Sequence, residues 1–367
     1  MTDHEYMKQA LLLAEKGTGH VNPNPLVGSI IVKNGKIIGE GYHEKYGEPH
    51  AEVNAINSLK ESARGATIYV TLEPCAHVGK TPPCVDAVIG SGVARVVVAS
   101  LDPNPLVAGR SIKKMKEAGI EVVIDILKEE ANQLNAVFFH YITTKTPYVV
   151  MKYAMTTDGK IATYTGKSRW ITSQKARRRV HEDRNRYSAI MVGVGTVIAD
   201  DPMLDCRIEG GRNPIRIICD THLRTPLSSK IVTTAKKIPT MIATSSTDVL
   251  KINELIEKGC QILPISTESE RIDLKLLMTL LGERGIDSIF LEGGATLNAS
   301  ALEAEIVNKV QTYIAPKLFG GSSAPTPIAG VGVATPAQAY RLENQKITIL
   351  APDILIESEV LKCLQES

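Results

Sequence analysis

Short apolar runs of β-forming residues alternate with helical patterns along the whole sequence, and this alternation limits the possible folds. In the first half, residues 66–72 and 95–100 predict strands that are each followed by a helical pattern. In the second half, residues 189–194, 215–219 and 288–291 are continuous apolar runs, which are typical of buried parallel strands. The sequence therefore predicts an α/β protein with helices layered on its sheets.

Two domains are expected from the length and from one break in the pattern. A chain of 367 residues exceeds the usual size of a single domain. The polar stretch 143–147 ends in a proline, and a new set of strands begins after it. We therefore predict domains at 1–145 and 146–367. In the first domain, Asn34-Gly35 between two apolar runs predicts a two-residue β-hairpin.

Composition narrows the class of protein. Hydrophobic residues make up 43% of the chain, which is enough for packed cores. The 42 Lys and Arg nearly balance the 40 Asp and Glu, so the net charge does not favour a nucleic-acid backbone, and the basic run 175–179 is interpreted as a solvated helix face. The sequence shows no targeting signal and no apolar run of the ~18 residues that a membrane helix needs. Four of the six cysteines are isolated, unlike the cysteines of a disulfide framework, which indicates an intracellular protein. Charge, apolar runs and cysteines together lead us to expect a cytoplasmic protein without nucleic-acid or membrane partners.

Four residues in the first half form a pattern that carries chemistry. His50 lies at the start of one predicted helix, and Cys75 and Cys84 lie near the start of another. Two thiolates and one imidazole are three protein ligands for zinc, which leaves a fourth position for water. Zinc lowers the pKa of such a water towards ~7, and Glu52 can pass its proton to a departing amine. The pattern predicts one catalytic zinc per chain in a deaminase.

The spacing of the two cysteines leaves alternatives open. Eight residues separate Cys75 from Cys84, whereas nucleobase deaminases commonly have two, so Cys84 must return after a loop. A closed structural zinc site with His77 as a fourth ligand is one alternative, and chance clustering is another. Glu52 favours the catalytic interpretation, because a closed site has no use for a carboxylate beside it.

The stretches around these residues resemble the bifunctional deaminase/reductase family of riboflavin biosynthesis. Residues 50–52, 71–84 and 102–105 carry the resemblance, and the long insert between the cysteines is that family's mark. The resemblance implies a cytidine-deaminase-like three-layer domain that removes the ring amine of a phosphoribosylated diaminopyrimidinone as ammonia. The residues expected to bind this substrate are Asn24, His43, His77, Lys80, Asp102 and Asn104. For each of them, a solvated loop residue or a helix cap is the alternative.

A strand, two glycines and a helix follow one another at residues 288–297. Glycines at this position let a diphosphate approach the backbone N–H groups of a helix N-terminus. The motif is not G-x-G-x-x-G, and a tight turn between strand and helix explains it equally well. On its own, the motif therefore leaves a nucleotide site undecided.

The surrounding sequence resembles the reductase half of the same family, at residues 152–162, 168–172 and 192–207. This resemblance implies a fold like that of dihydrofolate reductase, with NADPH as the hydride donor. The implied cofactor contacts are Ala154, Trp170, Thr196, Asp200, Gly294, Ala295, Thr296, Leu297, Asn298, Ala299 and Ser300. The implied substrate contacts are Ser168, Arg184, Leu204, Arg207 and Glu292. Core packing is the alternative for Trp170, and the two arginines can clamp a phosphate.

Together these patterns predict a two-step enzyme. The first domain deaminates the pyrimidine, and the second reduces the ribosyl chain to ribityl with NADPH. The family resemblance also implies a homo-oligomer. Two rival hypotheses remain: an RNA-binding editor whose second half is a binding module, and a protein whose zinc is purely structural.

Overall fold

The computed structural model describes residues 1–76, 83–104, 108–265 and 271–361. The chain divides into two compact units, of which the first ends at Lys145 and the second begins at Thr146. Each unit has its own sheet and its own hydrophobic core. Within the described residues, no helix is both long and apolar enough to cross a membrane.

A five-stranded sheet forms the centre of the first unit. Its strands in chain order are β1 (Gly28–Lys33), β2 (Lys36–Tyr42), β3 (Thr67–Leu72), β4 (Arg95–Ser100) and β5 (Glu121–Val123). They lie in the order β2-β1-β3-β4-β5. Strand β1 is antiparallel to both of its neighbours, whereas β3, β4 and β5 run parallel. The carboxyl ends of β3 and β4 therefore lie at the same edge of the sheet, where ligands of α/β sheets bind.

Helices cover both faces of this sheet. They are α1 (Asp3–Ala14), α2 (Ala51–Asn57), α3 (Cys84–Gly90), α4 (Arg110–Glu117), α5 (Lys128–Leu134) and α6 (Ala136–Thr144). One core cluster joins Ile68 and Val70 to residues of α2, α3 and α4. A second cluster joins Tyr69 of the same strand to residues of α1 and α5. Because side chains alternate between the faces of a strand, the two clusters make the predicted three-layer arrangement.

The predicted β-hairpin is confirmed between β1 and β2. Asn34 and Gly35 have φ of 49° and 74°, as a turn with two left-handed residues requires. Farther along β2, a Cβ on Gly41 would lie 2.3 Å from the backbone N of Ala55, so only glycine lets α2 pack this closely on the strand. This close approach sets the position of the first residues of α2.

A nine-stranded sheet forms the centre of the second unit. Its strands in chain order are β6 (Tyr148–Thr156), β7 (Ala189–Gly193), β8 (Ile215–Cys219), β9 (Thr240–Thr244), β10 (Gln261–Pro264), β11 (Ser288–Leu291), β12 (Val307–Ala315), β13 (Leu342–Leu350) and β14 (Asp353–Val360). They lie in the order β10-β9-β8-β7-β11-β6-β12-β14-β13. The strands from β10 to β12 in this order are parallel, as the apolar runs at β7, β8 and β11 predicted for those three strands. Strand β14 is antiparallel to both of its neighbours, β12 and β13, and the sequence patterns did not predict β13 or β14.

Six helices of the second unit are described. They are α7 (Gln174–Arg186), α8 (Val194–Asp200), α9 (Lys230–Thr233), α10 (Val249–Glu257), α11 (Leu274–Glu283) and α12 (Ala295–Glu303). One core cluster packs α11 and α12 against Met191 and Ile217, and another packs α9 and α10 against Ile190 and Ile218. Helices therefore cover both faces of the parallel part of the sheet.

The polar stretch 143–147, which predicted the domain boundary, contains less loop than its composition indicated. Thr143 and Thr144 are the last residues of α6, and Thr143 donates a hydrogen bond to the Phe139 carbonyl. Lys145 ends the helix with a φ of 60°. Strand β6 then begins at Tyr148, directly after Pro147. The threonines are compatible with a helix end because their hydroxyl groups bond back to the preceding turn.

Candidate functional site

His50, Cys75 and Cys84 come together beside the carboxyl end of β3. The His50 Nδ1 lies 3.2 Å from the Cys84 Sγ and 3.7 Å from the Cys75 Sγ. The potential ligand atoms of all three residues lie within 4.8 Å of one another. One imidazole and two thiols at this separation fit a zinc ion, which prefers nitrogen and sulfur ligands at tetrahedral spacing.

Local structure explains how residues so far apart in sequence meet. His50 is the N-cap residue of α2, and Cys84 is the first residue of α3. The backbone N–H of Cys84 donates to the Cys75 Sγ over 3.2 Å, and the next N–H, of Val85, bonds to the Cys75 carbonyl. Hydrogen bonding from the Cys84 side chain and from His50 lowers the pKa of the Cys75 thiol to about 4, which favours the metal-binding thiolate.

Glu52 lies one residue into α2 and is almost completely buried, with 3% of its surface exposed. Burial, together with the neighbouring Cys75 thiolate, raises the pKa of its carboxyl to about 7, whereas a nearby divalent cation lowers it. A carboxyl group with a pKa in this range is able to hold or release a proton at neutral pH.

A cavity of about 370 Å³ opens over the cluster. Besides His50, Glu52 and Cys75, its wall includes four of the residues predicted to bind substrate: Asn24, His43, Asp102 and Asn104. Phe138 and Ile142 supply apolar surface on the same wall. Polar groups beside an apolar surface suit a flat heterocycle with exocyclic amines. The other two predicted residues, His77 and Lys80, lie outside the described residues.

His43 makes contacts that the sequence did not predict. Its Nδ1 lies 3.1 Å from the Pro49 carbonyl oxygen and therefore donates to it, which leaves its Nε2 as the acceptor for the Asn24 amide at 3.1 Å. The ring is 2% exposed, and burial lowers its pKa. His43 is therefore a neutral imidazole that orients Asn24, so a large part of its role is to position a neighbouring side chain.

The buried carboxylate of Glu73 is a feature that sequence reasoning missed. Its Oε2 accepts hydrogen bonds from the backbone N–H groups of Asp102 and Gly109, and its Oε1 accepts from the N–H and hydroxyl of Ser111. These four bonds fix both ends of the segment that carries Asp102 and Asn104. The available signal was a carboxylate two residues before Cys75, inside the motif already quoted.

In the second unit, Glu292 holds two cations beside the end of β11. Its Oε1 lies 2.7 Å from Arg184 Nε, and its Oε2 lies 3.3 Å from Lys152 Nζ. Burial alone raises the pKa of this carboxyl, but Arg184 and Lys152 outweigh burial and hold the pKa at about 2. Lys152 was quoted in the family motif but was not predicted as a site residue, so it is the second residue that sequence reasoning missed.

The remaining predicted substrate residues differ in their surroundings. Arg207 is exposed and pairs with Asp205 at 3.0 Å, and the Asp205 carbonyl accepts from Arg184. The Leu204 side chain is packed in a core cluster, so only its backbone is available to a ligand. Ser168 is half-buried in the segment before α7. Arg184 therefore contacts Glu292 directly and is linked to Arg207 through Asp205. Ser168 is not part of this network of contacts.

Several of the predicted cofactor residues lie at the start of α12 or beside it. A Cβ on Gly294 would lie 3.6 Å from the Thr196 hydroxyl, and one on Gly193 would lie 3.8 Å from Leu297. No side chain caps α12, so its first N–H groups are available to phosphate oxygens. A cavity of about 350 Å³ beside this helix includes Thr296, Leu297 and Ser300 in its wall. These features fit a dinucleotide.

Five other cofactor predictions have mixed support. Asn298 and Ala299 are buried, and the Asn298 amide donates to the Pro327 carbonyl, so these two side chains support the fold. Trp170 is 62% exposed and lies 4.3 Å under the Arg177 guanidinium, which excludes core packing as its role. The Asp200 carbonyl accepts from Arg169 beside it, and Ala154 lies in β6 opposite Tyr313 of β12.

Comparison with known proteins supports the family resemblance in both halves of the chain. Residues 1–100 match the family described as cytidine and deoxycytidylate deaminase zinc-binding region, and residues 147–356 match the RibD C-terminal domain. The riboflavin biosynthesis protein RibD of Actinobacillus pleuropneumoniae is 54% identical over 99% of this chain and 97% of its own length.

Two solved structures are similar over nearly the whole chain. RibD of Acinetobacter baumannii is 39% identical, with a TM-score of 0.87, and the match covers 98% of this chain and 99% of that one. The diaminohydroxyphosphoribosylaminopyrimidine deaminase/5-amino-6-(5-phosphoribosylamino)uracil reductase of Thermotoga maritima is 37% identical, with a TM-score of 0.84 and the same coverage.

The predicted fold class is therefore confirmed in both halves. The alternative in which the second half is an RNA-binding module is wrong, because that half matches the reductase domain. The chain belongs to the bifunctional deaminase/reductase family of riboflavin biosynthesis, in which a zinc-dependent pyrimidine deaminase domain precedes an NADPH-dependent reductase domain.

Proposed function

We propose that residues 1–145 deaminate 2,5-diamino-6-(5-phosphoribosylamino)pyrimidin-4(3H)-one and that residues 146–367 reduce the ribosyl chain of the product with NADPH. The final product is 5-amino-6-(5-phosphoribitylamino)uracil. One observation carries the first half of this proposal: Glu52 lies buried beside the cluster of His50, Cys75 and Cys84, at the wall of a cavity large enough for a pyrimidine. The activities named for the similar Thermotoga maritima protein support the identity of both substrates.

In the deamination, water replaces the ring amine and ammonia leaves. His50, Cys75 and Cys84 would hold the zinc ion, which would act as a Lewis acid and lower the pKa of a water molecule. Glu52 accepts the proton of the attacking water and donates it to the departing amine. The Asn24 amide, oriented by His43, hydrogen-bonds to the pyrimidine edge, because its carbonyl oxygen remains available as an acceptor.

In the reduction, opening of the ribosylamine ring gives a C1′=N bond, and C1′ gains the hydride of NADPH while the nitrogen gains a proton. Glu292 orients Lys152 and Arg184 towards the sugar, because one of its carboxylate oxygens bonds to Arg184 and the other bonds to Lys152. Arg207 is exposed and carries free donors beyond its contact with Asp205, which suits a phosphate monoester. Trp170 offers the nicotinamide an exposed aromatic face.

A homo-oligomer and a cytoplasmic location are part of the same proposal. The outermost strand β13 carries large apolar side chains, with Ile347 62% and Ile349 66% exposed, and such an edge favours self-association. The cytoplasm is where NADPH and phosphorylated pyrimidines are available together. Light scattering of the purified protein tests the first statement, and cell fractionation tests the second.

One assay tests the two-step function. The purified protein is incubated with the phosphoribosylated diaminopyrimidinone, with and without NADPH, and the products are identified by mass. We expect the deaminated ribosyl compound without NADPH and the ribityl compound with it. Ammonia release that requires NADPH, or reduction before deamination, would contradict the proposed order.

A further inference from the structure

The cavity beside α12 contains groups that the proposed cofactor contacts do not use. Its wall includes Thr221, His222 and Arg224 from the loop after β8, and Arg271 from the segment before α11. The same wall includes Thr296 and Ser300 of α12. The cavity therefore extends from α12 to polar and cationic residues of two other segments.

The described residues with a fixed charge in the cavity wall are cationic. Among the residues that the structure describes, the wall includes two arginines, Arg224 and Arg271, and no carboxylate. Two like charges on one small cavity repel each other unless an anion lies between them. The wall also includes Ile272 and Leu274, which supply an apolar surface next to the cations. A ligand with a flat apolar part and a separate anionic group fits this combination.

The two arginines are placed differently. The Arg271 Nη1 donates to the Ser300 hydroxyl over 3.2 Å, which ties this guanidinium to α12. Arg224 is exposed and makes no hydrogen bond or ion pair with any residue that the structure describes. A guanidinium with all of its donors available can bind two oxygens of a phosphate at once.

We propose that Arg224 and Arg271 bind the 2′-phosphate of NADPH and that this pair makes the reductase select NADPH over NADH. The inference rests on the proposed reductase function. The uncapped N-terminus of α12 binds the diphosphate through backbone N–H groups, so the arginines are left for a second anionic group. The 2′-phosphate is the only such group that distinguishes NADPH from NADH. Ile272 and Leu274 then contact the adenine.

Binding of the oxidised cofactors tests this assignment without relying on turnover. Calorimetry measures the dissociation constants of NADP⁺ and NAD⁺ for the full-length protein and for Arg224→Gln and Arg271→Gln. Each variant loses charge-assisted hydrogen bonds to phosphate, so we expect NADP⁺ binding to weaken roughly 10- to 100-fold. NAD⁺ binding stays within about twofold of wild type, because NAD⁺ lacks the 2′-phosphate. Arg284→Gln, an exposed arginine outside the cavity, is the matched control and leaves both constants unchanged.

The outcomes separate this inference from the proposed function. If both variants weaken NADP⁺ and NAD⁺ equally, the arginines bind the shared diphosphate or support the fold, and the selectivity assignment is overturned. If wild type reduces the deaminated substrate with NADPH and both variants keep the same preference over NADH, the inference fails while the reductase function stands. If wild type reduces the substrate with neither cofactor, the proposed reductase function itself fails. Circular dichroism confirms that each variant remains folded.

Discussion

The site in the first unit and the site in the second unit use different groups to do their chemistry. The first is made of side chains: His50, Cys75 and Cys84 lie within 4.8 Å of one another and Glu52 is buried beside them. The second depends on backbone N–H groups at α12 and on ion pairs around Glu292. A site made of rare side chains can be recognised from sequence, whereas one made of backbone and common charges depends on the fold.

The largest effect is expected from removing a metal ligand. Cys84→Ser replaces a soft thiolate by a hydroxyl that zinc binds poorly, so zinc content should fall from one per chain to near zero and deamination should be lost. Elemental analysis of the freshly purified protein measures the zinc. Cys260→Ser, in the core of the second unit, should retain full zinc and serves as the control. Full occupancy in Cys84→Ser would contradict the assigned ligands.

Glu52→Gln tests whether the first site separates metal binding from proton transfer. Glutamine keeps the size of the side chain but cannot accept a proton, so deamination should fall roughly 10²- to 10⁴-fold. Zinc should remain bound, because the three ligands are intact. Ammonia release and NADPH oxidation on supplied deaminated substrate are measured separately. Loss of both in a folded protein would mean that the two reactions share one site, and Glu61→Gln on the surface is the control.

Glu292→Gln tests the ion pairs of the second site. The change leaves Arg184 and Lys152 without their counter-charge in a largely buried position, which costs about 3–5 kcal/mol of unfolding free energy. Reduction should decline with it, while deamination by the first unit should persist. Chemical denaturation measures the stability, and exposed Glu254→Gln is the control. Unchanged stability together with unchanged reduction would remove Glu292 from the site.

Glu73→Gln tests whether the first site, too, depends on backbone groups. The amide keeps one acceptor oxygen, so two of the four hydrogen bonds to the segment around Asp102 should be lost, at a cost of about 1–3 kcal/mol. We expect the KM of deamination to rise more than kcat falls, since Glu73 positions binding residues. A drop confined to kcat would indicate a direct part in the reaction.

The smallest effect concerns an ion pair that joins α1 to the first residue of β4. Arg95 donates two hydrogen bonds to Asp3, and these bonds lower the pKa of the Asp3 carboxyl to about 2. Because the folded pKa lies below the unfolded value of ~3.9, the stabilisation is present above that value and is lost as pH falls towards 2. The pair is partly exposed, so Asp3→Asn should cost only about 1 kcal/mol at pH 7. Denaturation at pH 7 and at pH 3 should show the difference shrinking.

Some features of the structure were readable from local sequence because each depends on neighbouring residues. The hairpin at Asn34-Gly35 follows from two residues that tolerate positive φ. Strand β4 at Arg95–Ser100 and strand β11 at Ser288–Leu291 have the bounds that their apolar runs predicted. Strands β13 and β14 were not predicted, because most of β13 is exposed and lacks the apolar run of a buried strand.

The sequence by itself determined the chemistry of the first site, since His, Cys and Glu at this spacing have few other uses. Only the tertiary structure decided which neighbours serve that site. His43 orients Asn24, and Glu73 holds the segment of Asp102, through contacts between residues that lie 19 and 29 positions apart. In the second unit, Arg224 and Arg271 reach the cavity of α12 from separate loops. Such contacts depend on how strands are ordered in a sheet, and no local pattern of residues encodes that order.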